Sequence, residues 1–222
     1  MKQSTVVEQS LDAMGELMIW TDVAPENEHD FNQWYDKEHM QERASIPGFR
    51  WSRRYYSKTA ERPYLALYRT ESLHVFHSAP YRQAFENQTE WSIRNFSVMK
   101  NTQRRVNAVT ELAGTGTGGA LSLICLGTLD TAQRALLLST ELEHSVAGVI
   151  ALRVLNPHPD LSTPLPSESK ENRVLEPYLV VEATTLQNAD QAGVWVCNKL
   201  ALADNSHHSF DLLWDLRASD MK

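Results

Sequence analysis

Two apolar runs of strand length, Gly15 to Val23 (GELMIWTDV) and Gly119 to Thr128 (GALSLICLGT), each open the same succession of patterns. In the first half a helix over Phe31 to Ile46 is followed by strands at Phe49–Tyr56 and Pro63–Thr70. A helical stretch from Ser72 to Met99, divided at Pro80, then leads into the alternation Val106, Ala108, Thr110, Leu112. In the second half come a helix at Thr131–Val146, strands at Val149–Leu155 and Pro177–Glu182, and a helix at Asn188–Leu202. Phe210, Leu212, Trp214 and Leu216 alternate at the end. Both halves read β-α-β-β-α-β, an internal duplication with a period of about a hundred residues, too long for a solenoid.

That order is the split motif of ferredoxin-like folds, a four-stranded antiparallel sheet with two helices on one face. The expected organisation is a first unit at 1–112, a linker at 113–119 (AGTGTGG) and a second, degenerate unit at 120–222. A Gly-rich loop can cradle phosphate only between a strand and a helix N-terminus; a strand follows here, so a flexible linker is the expectation. The faces away from the helices carry large side chains, so the two sheets are expected to cover one another. Their edge strands would pair across the halves, leaving no open edge. The segment Asn156 to Glu176, with four prolines amid polar residues, reads as an exposed, mobile hairpin loop.

The 222 residues are 42% hydrophobic, enough for a real core, and the net charge of -7 argues against a nucleic-acid or anionic-membrane partner. No apolar run approaches the roughly 20 residues of a membrane span. The first ten residues read as a frayed tail rather than a secretory signal. Cys125 and Cys197 form no CxxC pair, and a cytoplasmic location is expected.

The chemistry-bearing stretch is Phe31 to Phe49. At about 100° per residue, Phe31, Trp34, Tyr35, Glu38, Glu42 and Ile46 share one stripe with His39 at its edge. Two carboxylates on a core-facing stripe must be paired with cations or open onto a pocket. Arg43, Arg53 and Arg54 are the nearest candidates for pairing, a structural role that competes with any catalytic one. The motif Phe31-x-x-Trp34-Tyr35-Asp36-x-Glu38-His39-x-x-Glu42-Arg43, then Ile46-Pro47-Gly48-Phe49 and Arg53-Arg54-Tyr55, resembles the dimeric α+β barrel superfamily, most closely its EthD-like branch. Pro63 to Tyr68 and Pro80-Tyr81…Trp91…Arg94 share the likeness, which is specific over 15–112; beyond that only element order matches. The resemblance implies an α+β fold of two tandem ferredoxin-like units closing an intramolecular barrel. It also implies relatives ranging from cofactor-free monooxygenases and lactone isomerases to haem-handling enzymes, among which fold does not choose.

His39 is the candidate acid or base, since imidazole titrates near neutrality; the competing reading is a helix-edge ring bonded to a neighbour. Tyr35 joins it, with Tyr55 or Arg53 expected to hold oxygens nearby. Trp34, Glu38, Glu42, Arg53, Tyr55, Tyr68 and Trp91 are the candidate pocket residues, although aromatic stripes are more often core. His74 and His77, three apart, read as a solvated pair, and His207-His208 alternate faces on a strand, so no metal site is expected. The expected function is a cofactor-independent enzyme acting on a small hydrophobic, oxygenated, aromatic or polyketide-like compound, as a monomer or homodimer. The alternatives are a non-catalytic protein that binds such a ligand, or a haem protein with His39 as axial ligand.

Overall fold

The computed structural model describes residues 9–171 and 173–221. Most of the opening tail therefore lies outside the described residues. Eight antiparallel strands close into a barrel: β1 (Gly15–Val23), β2 (Phe49–Tyr56), β3 (Tyr64–Thr70), β4 (Met99–Gly114), β5 (Ala120–Cys125), β6 (Val149–Pro157), β7 (Tyr178–Ala183) and β8 (His207–Arg217). Their order around the ring is β1-β3-β2-β8-β5-β7-β6-β4, with β4 returning to β1. The first half thus contributes β4-β1-β3-β2 and the second β8-β5-β7-β6. The edges pair across the halves, β2 with β8 and β4 with β6. Full closure satisfies every edge, which is why neither half needs a charged or blunted outer strand.

Alternation along the strands separates three cores. Met18, Trp20, Tyr55, Leu65 and Leu67 meet Leu121, Leu123, Val180 and Phe210 inside the barrel. Outside it, the first-half helices, among them α3 (Ala79–Glu86), cover an aromatic layer, and α5 (Leu129–Ser145) and α6 (Leu186–Leu200) cover an aliphatic one. Two bulges break the simple alternation read from the sequence. A register shift between Phe49 and Trp51 turns Phe49 toward the helices while Trp51, Arg53 and Tyr55 keep to the barrel side. A second shift in β8 leaves Phe210 and Leu212 on the barrel side but swings Trp214 and Leu216 onto the first-half helical layer.

Other expectations are revised. The first helix starts at Pro25, not Phe31: proline takes the first helical position, where its missing N–H costs nothing, and Glu26 and Glu28 fill the first turn. Residues 158–171 and 173–176 do not form an exposed loop. Leu161, Ser162, Leu165 and Glu168 are buried, and Ser162 and Glu168 accept the backbone N–H groups of Val106 and Arg104, so the segment straps β4. Nor is 113–119 a free tether. It crosses one end of the barrel, Arg53 donates to Thr117 Oγ1, and Gly118 N donates to Glu182 Oε2 at 3.1 Å. Gly114, at φ +68°, has Ile150 O only 1.8 Å from where a Cβ would stand, so this crossing requires glycine.

Candidate functional site

The first helix is not uniform. α1 (Pro25–Trp34) passes through a π-helical turn at Tyr35–His39 into α2 (Met40–Ala44), and the Met40 N–H donates to Tyr35 O, five residues back. The extra residue rotates everything after it by about 100°. A regular helix would turn Glu38 and Glu42 inward from Trp34; the π turn puts His39, Met40, Arg43 and Ala44 there instead. The two-carboxylate stripe expected from a constant period is therefore absent. Glu38 lies at the helix margin and accepts from Thr89 Oγ1 at 2.6 Å and Ser92 Oγ at 3.1 Å, clamping α4 (Glu90–Val98). Glu42 approaches His39 Nδ1 at 3.6 Å and pairs with none of the three arginines.

His39 is enclosed by rings. It stacks on Trp34 at 4.2 Å between centroids, and Tyr35, Phe96 and Tyr68 meet it edge-on at 5.2, 5.6 and 6.2 Å. Its Nδ1 is buried without a hydrogen-bond partner among the described residues. Burial, and then the nearby Arg43 and Arg54, hold its pKa well below 6.5, so the ring is neutral. Burial likewise raises the Tyr35 phenol, with Arg54 opposing, and pushes Tyr68 well above its ordinary value.

The opening lies beside this cluster. A cleft of about 670 Å³ runs between α1 and the β2–β8 seam. Tyr56, Tyr64, Leu213 and Trp214 form apolar walls, and Asn32, Asp36 and Arg54 supply the polar groups. Arg54 is almost wholly buried, only 2% exposed, yet its nearest carboxylate is Asp36 at 3.4 Å, itself partly open to water. It also donates to Asn32 Oδ1, and its Nε has no partner among the described residues. The guanidinium carbon stands 4.2 Å from the Tyr35 ring centre, 5.0 Å from that of Tyr64 and 5.4 Å from that of Phe31. Burial lowers its pKa, against the pull of Tyr35 and Asp36. A guanidinium nonetheless stays charged in proteins, so the cleft floor is a cation held in an aromatic box.

The candidate residues divide among three locations. Trp34, Tyr35, His39 and Tyr68 form one buried group beneath the helices. Trp91 sits on α4, where its Nε1 donates to Asp30 Oδ1 at 3.1 Å and ties α4 to α1. Arg53 and Tyr55 point into the barrel, across the sheet from His39, so neither can hold an oxygen beside it; alternation makes this unavoidable. The Tyr35 ring touches both His39 and Arg54 and links the buried group to the cleft. Sequence reasoning did not assign the cleft's own residues. The clue was the face of β2 carrying Ser52, Arg54 and Tyr56, an arginine on a strand face packed by a helix. Trp214 gave no such clue, because the bulge that turns it is invisible to simple alternation.

No group of three or more His, Cys, Asp or Glu capable of holding a metal occurs among the described residues. A haem on His39 does not fit: its ring is boxed by Trp34, Tyr35, Tyr68 and Phe96, with no gap for a porphyrin, and the cleft lining contains no His, Cys or Met. No helix is long and apolar enough to cross a membrane among the described residues.

No family model and no curated protein matches the sequence. Solved structures do. An anthrone oxidase-like protein superposes with a TM-score of 0.61 at 11% identity, covering 95% of each chain. A candidate monooxygenase from Fusobacterium nucleatum gives 0.55 at 7% identity, covering 94% of this chain and 96% of that one. One from Lactobacillus acidophilus NCFM gives 0.53 at 6% identity, covering 93% and 97%. At these identities the likeness shows the fold alone: this chain shares the overall α+β fold of these proteins, with its eight-stranded antiparallel barrel closed within one polypeptide.

Proposed function

We propose that the cleft beneath α1 binds a small aromatic, oxygenated molecule and that the protein acts on it without a cofactor. The observation that carries this reading is Arg54, a buried cation whose one carboxylate partner, Asp36 at 3.4 Å, is half open to water, on the floor of an aromatic-walled cleft. A buried charge matched only by a long contact to a half-exposed carboxylate is costly, and a ligand oxygen bearing negative charge would offset that cost. A phenol, enol or carbonyl flanked by an acidic C–H suits the site. Its flat body would lie between Tyr56, Tyr64 and Trp214, and its oxygen would meet Arg54. Asp36, on the same floor, is placed to receive the proton as the oxygen gains charge. The enolate so formed is the electron-rich form that dioxygen oxidises most readily. The likeness to an anthrone oxidase-like protein and a monooxygenase-like one supports the same reading, and the strand order is consistent with two tandem ferredoxin-like units of an EthD-like protein.

In this reading His39 touches no substrate. It is a neutral ring that fixes Tyr35, which in turn backs Arg54. The sequence-based role of His39 as acid or base thus passes to Asp36. The test is to supply a hydroxylated anthrone as probe, follow quenching of Trp214 fluorescence, and measure oxygen uptake and product mass. Saturable quenching with product that disappears in Asp36→Asn is expected. Binding without product would establish a ligand-binding protein, and no binding at all would overturn the reading.

A further inference from the structure

The barrel has a second, chemically different cavity. At the end crossed by 113–117, a hollow of about 210 Å³ is lined by Trp51, Arg53, Arg69, Arg153, Arg217 and Glu111. Three of these arginines are more than nine-tenths buried. Behind them, out of the lining, Glu16 and Glu182 are fully buried. Arg153 Nε and Arg69 Nε donate to Glu16 Oε2 at 3.0 and 2.9 Å, and Arg153 Nη1 donates to Glu182 Oε1 at 2.9 Å. Although burial alone would raise it, Arg153 and then Arg69 hold the Glu16 carboxyl below 4.5. Asp215 joins Arg53 to Arg217 from the side. The guanidinium carbons of Arg53, Arg69 and Arg153 lie 3.9, 5.3 and 5.9 Å from the Trp51 ring centre.

The carboxylates behind anchor the guanidiniums without filling the hollow. On the hollow itself four cations face one acid, Glu111, which accepts from Arg69 Nη1 at 2.9 Å while its side chain remains 63% exposed. An exposed glutamate on a pre-ordered arginine cluster is a weak, displaceable partner. We infer that this barrel mouth is a binding site for a compact, multiply charged oxyanion, of phosphate or short dicarboxylate chemistry, which takes the place of Glu111. At ~30 Å³ per water, the space equals about seven waters, enough for such an ion and too small for the aromatic ligand proposed for the cleft. The Gly-rich crossing then acts as the rim of an anion pocket whose charge comes from barrel arginines rather than from a helix N-terminus. This inference does not depend on the cleft.

The test uses the intact protein and changes only exposed rim residues. Inorganic phosphate and malonate are titrated by calorimetry against wild type, Glu111→Gln and Arg217→Gln. Saturable binding of one of the two probes is expected, with phosphate or malonate preference identifying the source chemistry. Glu111→Gln should tighten it about fivefold and Arg217→Gln weaken it about fivefold, with probe binding in the cleft unchanged in both. Absence of saturable binding for either ion, or affinities indifferent to both substitutions, would overturn the site.

Discussion

The two halves of the barrel share a backbone plan and differ in what lies under their helices. Register pairs Arg54 with Ala66 in one sheet and Val154 with Leu179 in the other, equivalent steps along the two strands. Likewise Tyr68 stands opposite Leu17, and Val181 opposite Ser122. The first layer therefore holds an arginine, a tyrosine and His39 among rings; the second is Val154, Val181, Leu142, Leu152 and their neighbours. The first opens into a cleft of about 670 Å³, while the gap beneath α5 has no room for a water. The aliphatic half closes and stabilises; the aromatic half keeps a cation that close packing would not tolerate. The contrast teaches that the fold imposes no pocket. A few polar residues and a π turn, on one copy only, make it.

Making the second half resemble the first should have the largest effect. Val154→Arg would bury a guanidinium with neither carboxylate nor cleft, and urea unfolding should show a loss of about 3–5 kcal/mol. The reverse exchange, Arg54→Val, should leave stability within about 2 kcal/mol of wild type, because it removes a poorly paired buried charge. It should weaken binding of the aromatic probe in the cleft by roughly 30-fold or more, read by fluorescence titration. Equal affinity would remove the distinction between the halves.

His39 gives a pH signature confined to the first half. Its folded pKa is depressed, so below 6.5 the unfolded chain takes up a proton that the folded ring refuses. The contribution is complete above that pH and declines as pH falls toward the folded value, by at most ~1.4 kcal/mol per pH unit. His39→Phe should flatten that part of the stability profile, measured by denaturant midpoints from pH 8 to pH 5. The smallest expected effect is at Glu38. Glu38→Gln weakens the bonds from Thr89 and Ser92 and should cost about 1 kcal/mol of stability, with cleft affinity changed less than twofold.

Much of this architecture was legible in the residues. The two strand-length apolar runs, the repeated element order and the alternation in the last strand of each half were enough to anticipate two sheets with edges paired across the halves, and the likeness carried by Phe31 to Tyr55 implied their closure into a barrel. The site was less legible, for local reasons. A single extra residue in the Tyr35–His39 turn exchanges Glu38 and Glu42 for His39 and Arg43 at the core, and no propensity marks a π turn. The bulge at Leu213 turns Trp214 from the barrel to the cleft in the same way. Arg53 and Arg54 are neighbours in sequence, yet one anchors the barrel mouth and the other floors the cleft. Composition cannot tell which of two adjacent arginines faces which side.

The most direct test is solution NMR of the arginine Nε–H signals during titration with the hydroxylated aromatic probe. The Arg54 signal, whose nitrogen lacks a partner among the described residues, should move saturably, while that of Arg153, locked between Glu16 and Glu182, should stay in place. Movement of Arg153 with Arg54 unaffected would assign the aromatic ligand to the barrel interior and contradict the cleft.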